Sequence, residues 1–144
     1  MRRSKIKLLI IEDEEQMKRV LSYIIQNSEV ADFEIREASS AEEAIRMLSE
    51  AEPDIIICDY LLEKMSGIEF FSDISIKYPD IVKILISGNV NYDELRKAVN
   101  RGDIFRYLAK PFNEDEILAV LRESVEKVKD IRQKKDLMQR LKDF

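Results

Sequence analysis

The sequence predicts an α/β fold: a doubly wound, five-stranded parallel sheet of strand order 2-1-3-4-5, with an extended last helix. Three observations lead to this prediction. Five short β-type runs alternate along the chain with five helical segments, as in βαβ units joined by right-handed crossovers. The first and third runs are almost wholly apolar, which suits strands buried on both faces. The second run alternates polar and apolar residues and therefore suits an edge of the sheet.

The first strand is expected at residues 6–11, an apolar run that stops at Glu12. Behind it, apolar residues recur at i, i+3, i+4, i+7 and i+8, which is one face of a helix with about 3.6 residues per turn. These residues are Met17, Val20, Leu21, Ile24 and Ile25. They define the apolar face of the first helix.

The second strand is expected at residues 33–37, and the second helix follows it closely. Ser40 stands ahead of this helix as an N-cap, and Glu43, three residues later, completes a capping box. Pro53 follows the end of the helix. The apolar positions at helical spacing are Ala41, Ala44, Ile45 and Leu48.

The remaining strands are expected at residues 54–58, 81–86 and 105–109. Between the first two of these runs lies an apolar cluster that we assign to the core: Phe70, Phe71 and Ile74. Glycine and proline residues punctuate this half of the chain, as expected between separate elements. They are Gly67, Pro79, Gly88 and Gly102.

The last helix is predicted to start after Asn113, its N-cap, and to continue without glycine or proline to Phe144. Thirty-odd helical residues would span about 45 Å, more than a small globule needs. We therefore divide the chain into a globular domain at residues 1–127 and a helical extension or linker at 128–144. The apolar seam of the extension is interrupted at Lys135, so a coiled-coil dimer and a simple linker helix both stay open.

Composition excludes several classes of protein. The chain has 144 residues, which fit one domain, and one cysteine, which rules out an internal disulfide. It has no histidine, so histidine-based zinc sites and histidine-dependent catalytic triads are excluded. The net charge of -5 argues against nucleic acid as the main partner. The apolar run behind the basic start ends at Glu12, too short for a signal peptide or membrane span, so we expect a cytoplasmic protein.

The chemistry is expected at the carboxyl edge of the sheet. The first strand leads into Glu12 and Asp13, and the third ends on Asp59. In the predicted order these strands are neighbours at the switch point, where ligands of such sheets bind. Crowded carboxylates raise one another's pKa values unless a cation binds, and hard oxygen ligands suit Mg²⁺. The sequence therefore predicts a magnesium site in this crevice.

Five separated motifs, in order and at matching spacing, resemble the receiver domain of response regulators in two-component signalling, over roughly residues 5–127. They are the pair Glu12-Asp13, Asp59 with Gly67 eight residues later, Ser87 in Ile-Ser-Gly, Tyr107, and Lys110-Pro111-Phe112. The resemblance implies a flavodoxin-like receiver fold. It also implies a function: acceptance of a phosphoryl group, with Mg²⁺, and a resulting change of conformation.

The resemblance also implies the role of each site residue. Asp59 is the phosphoryl acceptor and nucleophile, and Lys110 and Ser87 bind phosphoryl oxygens. Ser87 and Tyr107 form the switch, although Ser87 alone also reads as a turn residue and Tyr107 as a packed aromatic. The expected magnesium ligands are Asp13, Asp59 and the carbonyl of Leu61 directly, and Glu12 through water.

The expected partners follow from the same resemblance. The phosphoryl donor is a sensor histidine kinase, a phosphotransfer protein or a small molecule. The switch acts on the face made by helix four, strand five and helix five, which the family uses for partners or dimers. Residues expected to be exposed there are Tyr92, Arg96, Arg101, Asp103 and Arg106. A C-terminal output domain is expected in the full protein, and a homodimer through the last helix stays open.

Two departures from the family pattern and one alternative function complete the prediction. Glu63 stands where the family usually has proline, which affects the rigidity of that loop. Leu61 and Asn89 occupy positions that, in this family, modulate how fast the aspartyl phosphate is hydrolysed. An apolar Leu61 favours a long-lived phosphoryl state. The chain would be an enzyme only in catalysing its own phosphorylation and dephosphorylation. The alternative is a phosphorylation-independent interaction or dimerisation module of the same fold.

Overall fold

The computed structural model describes residues 5–143; residues 1–4 and Phe144 lie outside it. The strands are β1 (Ile6–Ile11), β2 (Phe33–Ala38), β3 (Ile55–Asp59), β4 (Val82–Ser87) and β5 (Arg106–Ala109). The helices are α1 (Glu15–Gln26), α2 (Ala41–Glu50), α3 (Gly67–Ser75), α4 (Tyr92–Asn100) and α5 (Glu114–Lys142). Each predicted strand is present, with bounds that differ by about one residue.

The five strands form one parallel sheet of order β2-β1-β3-β4-β5, which confirms the predicted fold class. The apolar strands β1 and β3 are neighbours, with Ile11 opposite Cys58. The alternating strand β2 lies at the edge. All carboxyl ends therefore meet at one edge of the sheet, which we call the carboxyl edge. The opposite edge, where the strands begin, is the amino edge.

Two layers of helices cover the sheet. On one face α2, α3 and α4 pack against the side chains of Leu9, Ile56 and Leu85. On the other face α1 and α5 pack against Ile10 and Ile57. The predicted core cluster is confirmed, because Phe70, Phe71 and Ile74 are buried in the first layer.

Four of the five residues predicted for the apolar face of α1 lie on it: Leu21 and Ile25 are buried, and Met17 and Ile24 pack against the same cluster. The exception is Val20, which is 44% exposed, whereas Lys18 is buried. The Lys18 ammonium donates to Ser39 Oγ at 2.7 Å and pairs with Glu15 at 2.8 Å, so its stem can pack inside.

Side-chain caps fix the starts of four helices. Ser40 Oγ accepts a hydrogen bond from the Glu43 amide at 3.1 Å, as predicted. The Glu43 carboxylate in turn accepts a hydrogen bond from the amide of Ser39, one residue before the cap, at 3.0 Å. Asn113 Oδ1 accepts from the amide of Glu116 at 2.9 Å, which confirms the predicted start of the last helix. Ser66 and Asn91 cap α3 and α4 in the same way.

The last helix runs as predicted through Lys142, and its end at Phe144 lies outside the described residues. Val128 is buried in the core, and Ile131 packs against the same cluster. The Arg132 guanidinium donates to Asp54 Oδ2 at 2.9 Å and to the carbonyl of Lys5 at 3.1 Å. The part of α5 beyond residue 127 therefore docks along the amino edge of the sheet.

Further contacts complete the description of the surface. Lys135 pairs with Asp80 at 2.9 Å, one turn beyond Arg132. The last turns expose Leu137, Met138 and Leu141. Within residues 5–143, no helix has both the length and the apolar character needed to cross a membrane.

Candidate functional site

Three carboxylates converge at the carboxyl edge. One oxygen atom from each of Glu12, Asp13 and Asp59 lies within 4.8 Å of the other two. Glu12 and Asp59 are 2% and 9% exposed, whereas Asp13 is exposed to solvent. The sequence predicted this convergence, and it arises because β1 and β3 are paired as far as Ile11 and Cys58, the residues directly before Glu12 and Asp59.

A lysine faces the carboxylates from β5. The Lys110 Nζ lies 3.5 Å from Asp59 Oδ1 and 3.7 Å from Glu12 Oε1. The backbone holds it there, because the Lys110 amide donates to the carbonyl of Ser87 at 2.8 Å at the end of β4. The peptide bond between Lys110 and Pro111 is cis. The crevice thus brings the three carboxylates together with the ammonium of Lys110.

The crowding changes the protonation of Glu12. Burial, the hydrogen bond with Asp59 and the charge of Asp59 together raise the pKa of Glu12 to about 8, against the opposing effect of Lys110. Two buried carboxylates side by side favour sharing a proton over both being ionised. Cys58, next to Asp59, is fully buried, and burial raises the pKa of its thiol. Cys58 therefore serves as a small buried apolar residue and not as a reactive thiol.

The donor set fits Mg²⁺. All three side chains offer hard oxygen atoms, and the exposed Asp13 leaves one side of the cluster open to water. The crowding that raises the pKa of Glu12 is the condition that a bound cation relieves. Leu61, the predicted backbone ligand, lies in the loop after β3; its side chain is 64% exposed and its backbone bridges to Ser66.

Ser87 and Tyr107 are in contact at the neighbouring strand ends. Ser87 is 1% exposed, and its Oγ accepts a hydrogen bond from the Asn89 amide at 3.0 Å. The Tyr107 hydroxyl donates to the carbonyl of Ser87 at 3.2 Å, and its ring packs against the core. Ser87 is therefore a turn residue and Tyr107 a packed aromatic, as their simpler interpretations expected. A hydrogen bond also links the two residues.

Gly67 closes the loop that follows Asp59. Its amide donates to the carbonyl of Tyr60 at 2.8 Å. A Cβ atom at this position would lie 2.5 Å from the carbonyl oxygen of Asp59 and 2.8 Å from Leu85 Cδ1. Sequence spacing singled out Gly67, and the close approach of the backbone gives the physical reason.

Sequence reasoning missed one link from the crevice to α4. The Tyr60 hydroxyl, directly after Asp59, donates to Glu94 Oε2 in the first turn of α4 at 3.0 Å. Tyrosine after an acid and glutamate at a helix start are both unremarkable locally, and nothing in their spacing, 34 residues apart, indicates the pair.

Most of the predicted surface residues of α4 and β5 are exposed, with one exception. Tyr92 is 74% exposed, and Arg96, Arg101 and Arg106 are also exposed. The expectation for Asp103 is wrong, because its side chain is only 13% exposed. The carboxylate is held by Arg101 Nε and Ser72 Oγ, each at 3.0 Å, which draws it inward.

A five-stranded parallel sheet of this order, with clustered carboxylates facing a lysine at its carboxyl edge, has the architecture of a signalling receiver domain. The chain belongs to the response regulator receiver domain family, whose model matches residues 8–122. Domains of this family generally bind Mg²⁺, in agreement with the acidic cluster.

Three relatives illustrate the range of similar proteins. The chemotaxis protein CheY of Listeria monocytogenes is 30% identical over 120 residues, covering 83% of this chain and 98% of that protein. The hydrogenase transcriptional regulatory protein HoxA of Cupriavidus necator is 29% identical over 119 residues, covering 83% of this chain but 24% of the relative. The signal receiver domain of an HD domain-containing protein from Pseudomonas fluorescens has a TM-score of 0.80 at 27% identity, covering 88% and 99%.

The chain spans about a quarter of the length of the HoxA relatives that it matches, 24% in each case. It spans nearly the whole of the CheY relative. The similarity therefore covers the receiver and not the remainder of the longer proteins.

Proposed function

We propose that this chain is a cytoplasmic, phosphorylation-activated receiver that accepts a phosphoryl group on Asp59. The observation that carries the proposal is the position of Lys110, whose ammonium lies 3.5 Å from Asp59 Oδ1 beside two further carboxylates. A carboxylate nucleophile, a cation within reach of the incoming group and a cluster suited to Mg²⁺ together serve phosphoryl transfer.

In the proposed reaction, an Asp59 oxygen attacks the phosphorus of a phosphohistidine on a histidine kinase or phosphotransfer protein. The O–P bond forms as the P–N bond breaks, and the imidazole leaves with its electron pair and takes a proton. Asp13, Asp59 and the Leu61 carbonyl would hold Mg²⁺ directly and Glu12 would hold it through water, and the bound ion would neutralise charge on the phosphoryl oxygens. The Lys110 ammonium and the Ser87 hydroxyl bind the remaining oxygens.

The switch is proposed to use contacts that already exist at the ends of β4 and β5. The Ser87 hydroxyl accepts a hydrogen bond from the Asn89 amide at 3.0 Å, and a phosphoryl group would draw the hydroxyl away from that amide. The Ser87 carbonyl holds both the Tyr107 hydroxyl and the Lys110 amide, so the movement of one residue is felt by the other two. The change would reach the face made by α4, β5 and α5, where partners or a second copy would bind.

The output is proposed to lie in a further domain, because the chain matches only the receiver portion of the longer relatives. Exposed Leu61 supports a long-lived phosphoryl state, since an apolar side chain cannot orient an attacking water.

The test is the intact mass after incubation with acetyl phosphate, with and without Mg²⁺. We expect one phosphoryl adduct that requires Mg²⁺ and is absent in Asp59→Asn, which keeps the fold. Asp73→Asn, an exposed acid on α3, is the matched control and should be phosphorylated like the native chain. Absence of an adduct on a folded native chain would contradict the proposal and favour the phosphorylation-independent interaction module.

A further inference from the structure

A second group of charged residues lies at the amino edge of the sheet, and the proposed reaction does not use it. Its centre is Lys83 on β4, which is 3% exposed although lysine is seldom buried unpaired. The only hydrogen bond of its ammonium among residues 5–143 is to the carbonyl of Ile81, at 3.1 Å. Lysine has three N–H donors, so two are left without an acceptor in the described part of the chain.

Two of the nearby carboxylates are engaged elsewhere. Asp103 is held by Arg101 and Ser72, and Asp80 by Lys135 at 2.9 Å. Within residues 5–143, no carboxylate oxygen lies within 4.0 Å of the Lys83 ammonium. Burial lowers the pKa of Lys83, against the weaker opposing charges of Asp103, Asp80 and Glu52. The protein thus buries a cation without a counter-ion in contact with it.

The lysine opens onto space large enough for a ligand. Lys83 lines two cavities, of about 460 and 360 Å³, which adjoin because both are also bounded by Pro79 and Gly102. The larger cavity is further lined by Ser72, Ser75, Ile76, Arg101 and Asp103. Lys83 and Arg101 against Asp103 leave one net positive charge in this lining, and Ile76, 92% exposed, stands beside it as an apolar neighbour.

We propose that this cavity is an anion-binding site for a small ligand that carries a carboxylate or phosphate group. The ligand's oxyanion would accept hydrogen bonds from the two remaining N–H groups of Lys83 and from one N–H group of Arg101. The Arg101 guanidinium has N–H donors beyond those that bind Asp103 and Ser72. The site is separate from the phosphorylation crevice: Lys83 and Ser87 lie four residues apart on β4, or about 13 Å.

The test is an NMR titration of backbone amides with sodium phosphate and, separately, with succinate, at constant ionic strength set by chloride. We expect saturable shifts at Ser72, Arg101 and Gly102 with at least one of the two anions, and the stronger ligand identifies the favoured class. Asp59→Asn should give the same shifts, because the crevice is not involved. Shifts that fail to saturate, or that appear only around Lys110, would overturn the proposal.

Two variants test whether Lys83 binds the anion. Lys83→Met keeps the length and apolar stem of the side chain, and we expect at least a tenfold loss of anion affinity with no loss of thermal stability in anion-free buffer. If Lys83→Met binds anions like the native chain, or is much less stable without them, Lys83 is a structural partner of Asp103 and the proposal fails. Should Lys83→Met not fold, Arg101→Met, at an exposed position, should still weaken binding several-fold, and unchanged binding there would likewise overturn it.

Discussion

At Gly67, next to the carboxyl edge, the surrounding atoms leave no space for a side chain. We expect Gly67→Ala to lower the free energy of unfolding by about 1–3 kcal/mol, because the new Cβ would overlap the Asp59 carbonyl at 2.5 Å. Alanine is otherwise favourable in a helix, so the loss is attributable to this contact. Chemical denaturation measures it.

Gly88→Ala is the matched control for this substitution. Its Cβ would lie 3.7 Å from Lys110 Cβ, an ordinary contact, so we expect a change within about 0.5 kcal/mol. Equal effects at Gly67 and Gly88 would show that the crowding at Gly67 relaxes without cost.

Glu12 gives the metal-free protein a dependence on pH. The unfolded chain loses the Glu12 proton near 4.5, whereas the folded chain keeps it until about 8, so the folded state binds more protons in this window. Stability should therefore fall as pH rises from about 4.5 to 8, by up to about 1.4 kcal/mol per pH unit from this group. We expect Glu12→Gln to remove this slope in denaturation measured in EDTA.

Glu14→Gln controls for the general effect of removing an acid, because Glu14 is exposed. Its stability profile should keep the slope of the native chain. Parallel profiles for Glu12→Gln and the native chain between pH 4.5 and 8 would contradict the raised pKa of Glu12.

At this scale the sequence anticipates the residues that end strands and misses those that depend on packing. Asp59 and Asp13 could be placed because two apolar strands run directly into them. Asp103 was expected at the surface, because its inward position depends on Arg101 and Ser72, which reach it from different elements. Lys83 and its cavity were not predicted at all, since a single lysine within an apolar strand gives no indication of what surrounds its ammonium.

Among the elements, α5 is the longest helix, and its second half docks along the amino edge of the sheet. We expect Arg132→Met to accelerate amide exchange in the last two turns of α5 about two- to fivefold, equivalent to about 0.5–1 kcal/mol for a partly exposed ion pair. The cause is loss of the bonds to Asp54 and to the carbonyl of Lys5. Hydrogen exchange with mass spectrometry measures it.

Arg140→Met is the control, because among residues 5–143 Arg140 pairs only within the helix, with Asp136, at a highly exposed position. It should change exchange little. If both variants behave alike, the docking of α5 depends on Val128 and Ile131 and not on the Arg132 pair.

The elements themselves were largely predictable, and the reasons are physical. Buried strands of a parallel sheet are continuous apolar runs, and helix starts carry capping residues such as Ser40 and Asn113, so both leave local signals. The burial of Lys18 on α1 left a weaker signal: Lys18 shares the i, i+3 and i+7 spacing of Leu21 and Ile25, but its charge suggested an outward position. The docking of α5 beyond residue 127 depends on Asp54 and Asp80, which are distant in sequence.

For the whole molecule, the pair Tyr60 and Glu94 connects the crevice with α4. We expect Tyr60→Phe to cost about 0.5–1.5 kcal/mol of unfolding free energy and to speed amide exchange in the first turns of α4, because the 3.0 Å hydrogen bond is lost. If the proposed function is correct, phosphorylation of this variant should also shift the amides of α4 less than in the native chain.

Tyr78→Phe provides the comparison, since no hydrogen bond of the Tyr78 hydroxyl is found among residues 5–143. It should leave exchange in α4 unchanged. Identical exchange in Tyr60→Phe and the native chain would show that α4 is held by its apolar contacts, Leu95 and Ala98, alone.

The 29-residue helix α5 also joins two distant parts of the molecule. It begins four residues after Lys110 at the carboxyl edge, and its Arg132 pairs with Asp54 at the amino edge. At 1.5 Å per residue, the arm from Glu114 to Arg132 is about 27 Å and the arm from Arg132 to Lys142 about 15 Å. Only the second arm lies beyond the residues of α5 that pack against the sheet, the last of which is Ile131.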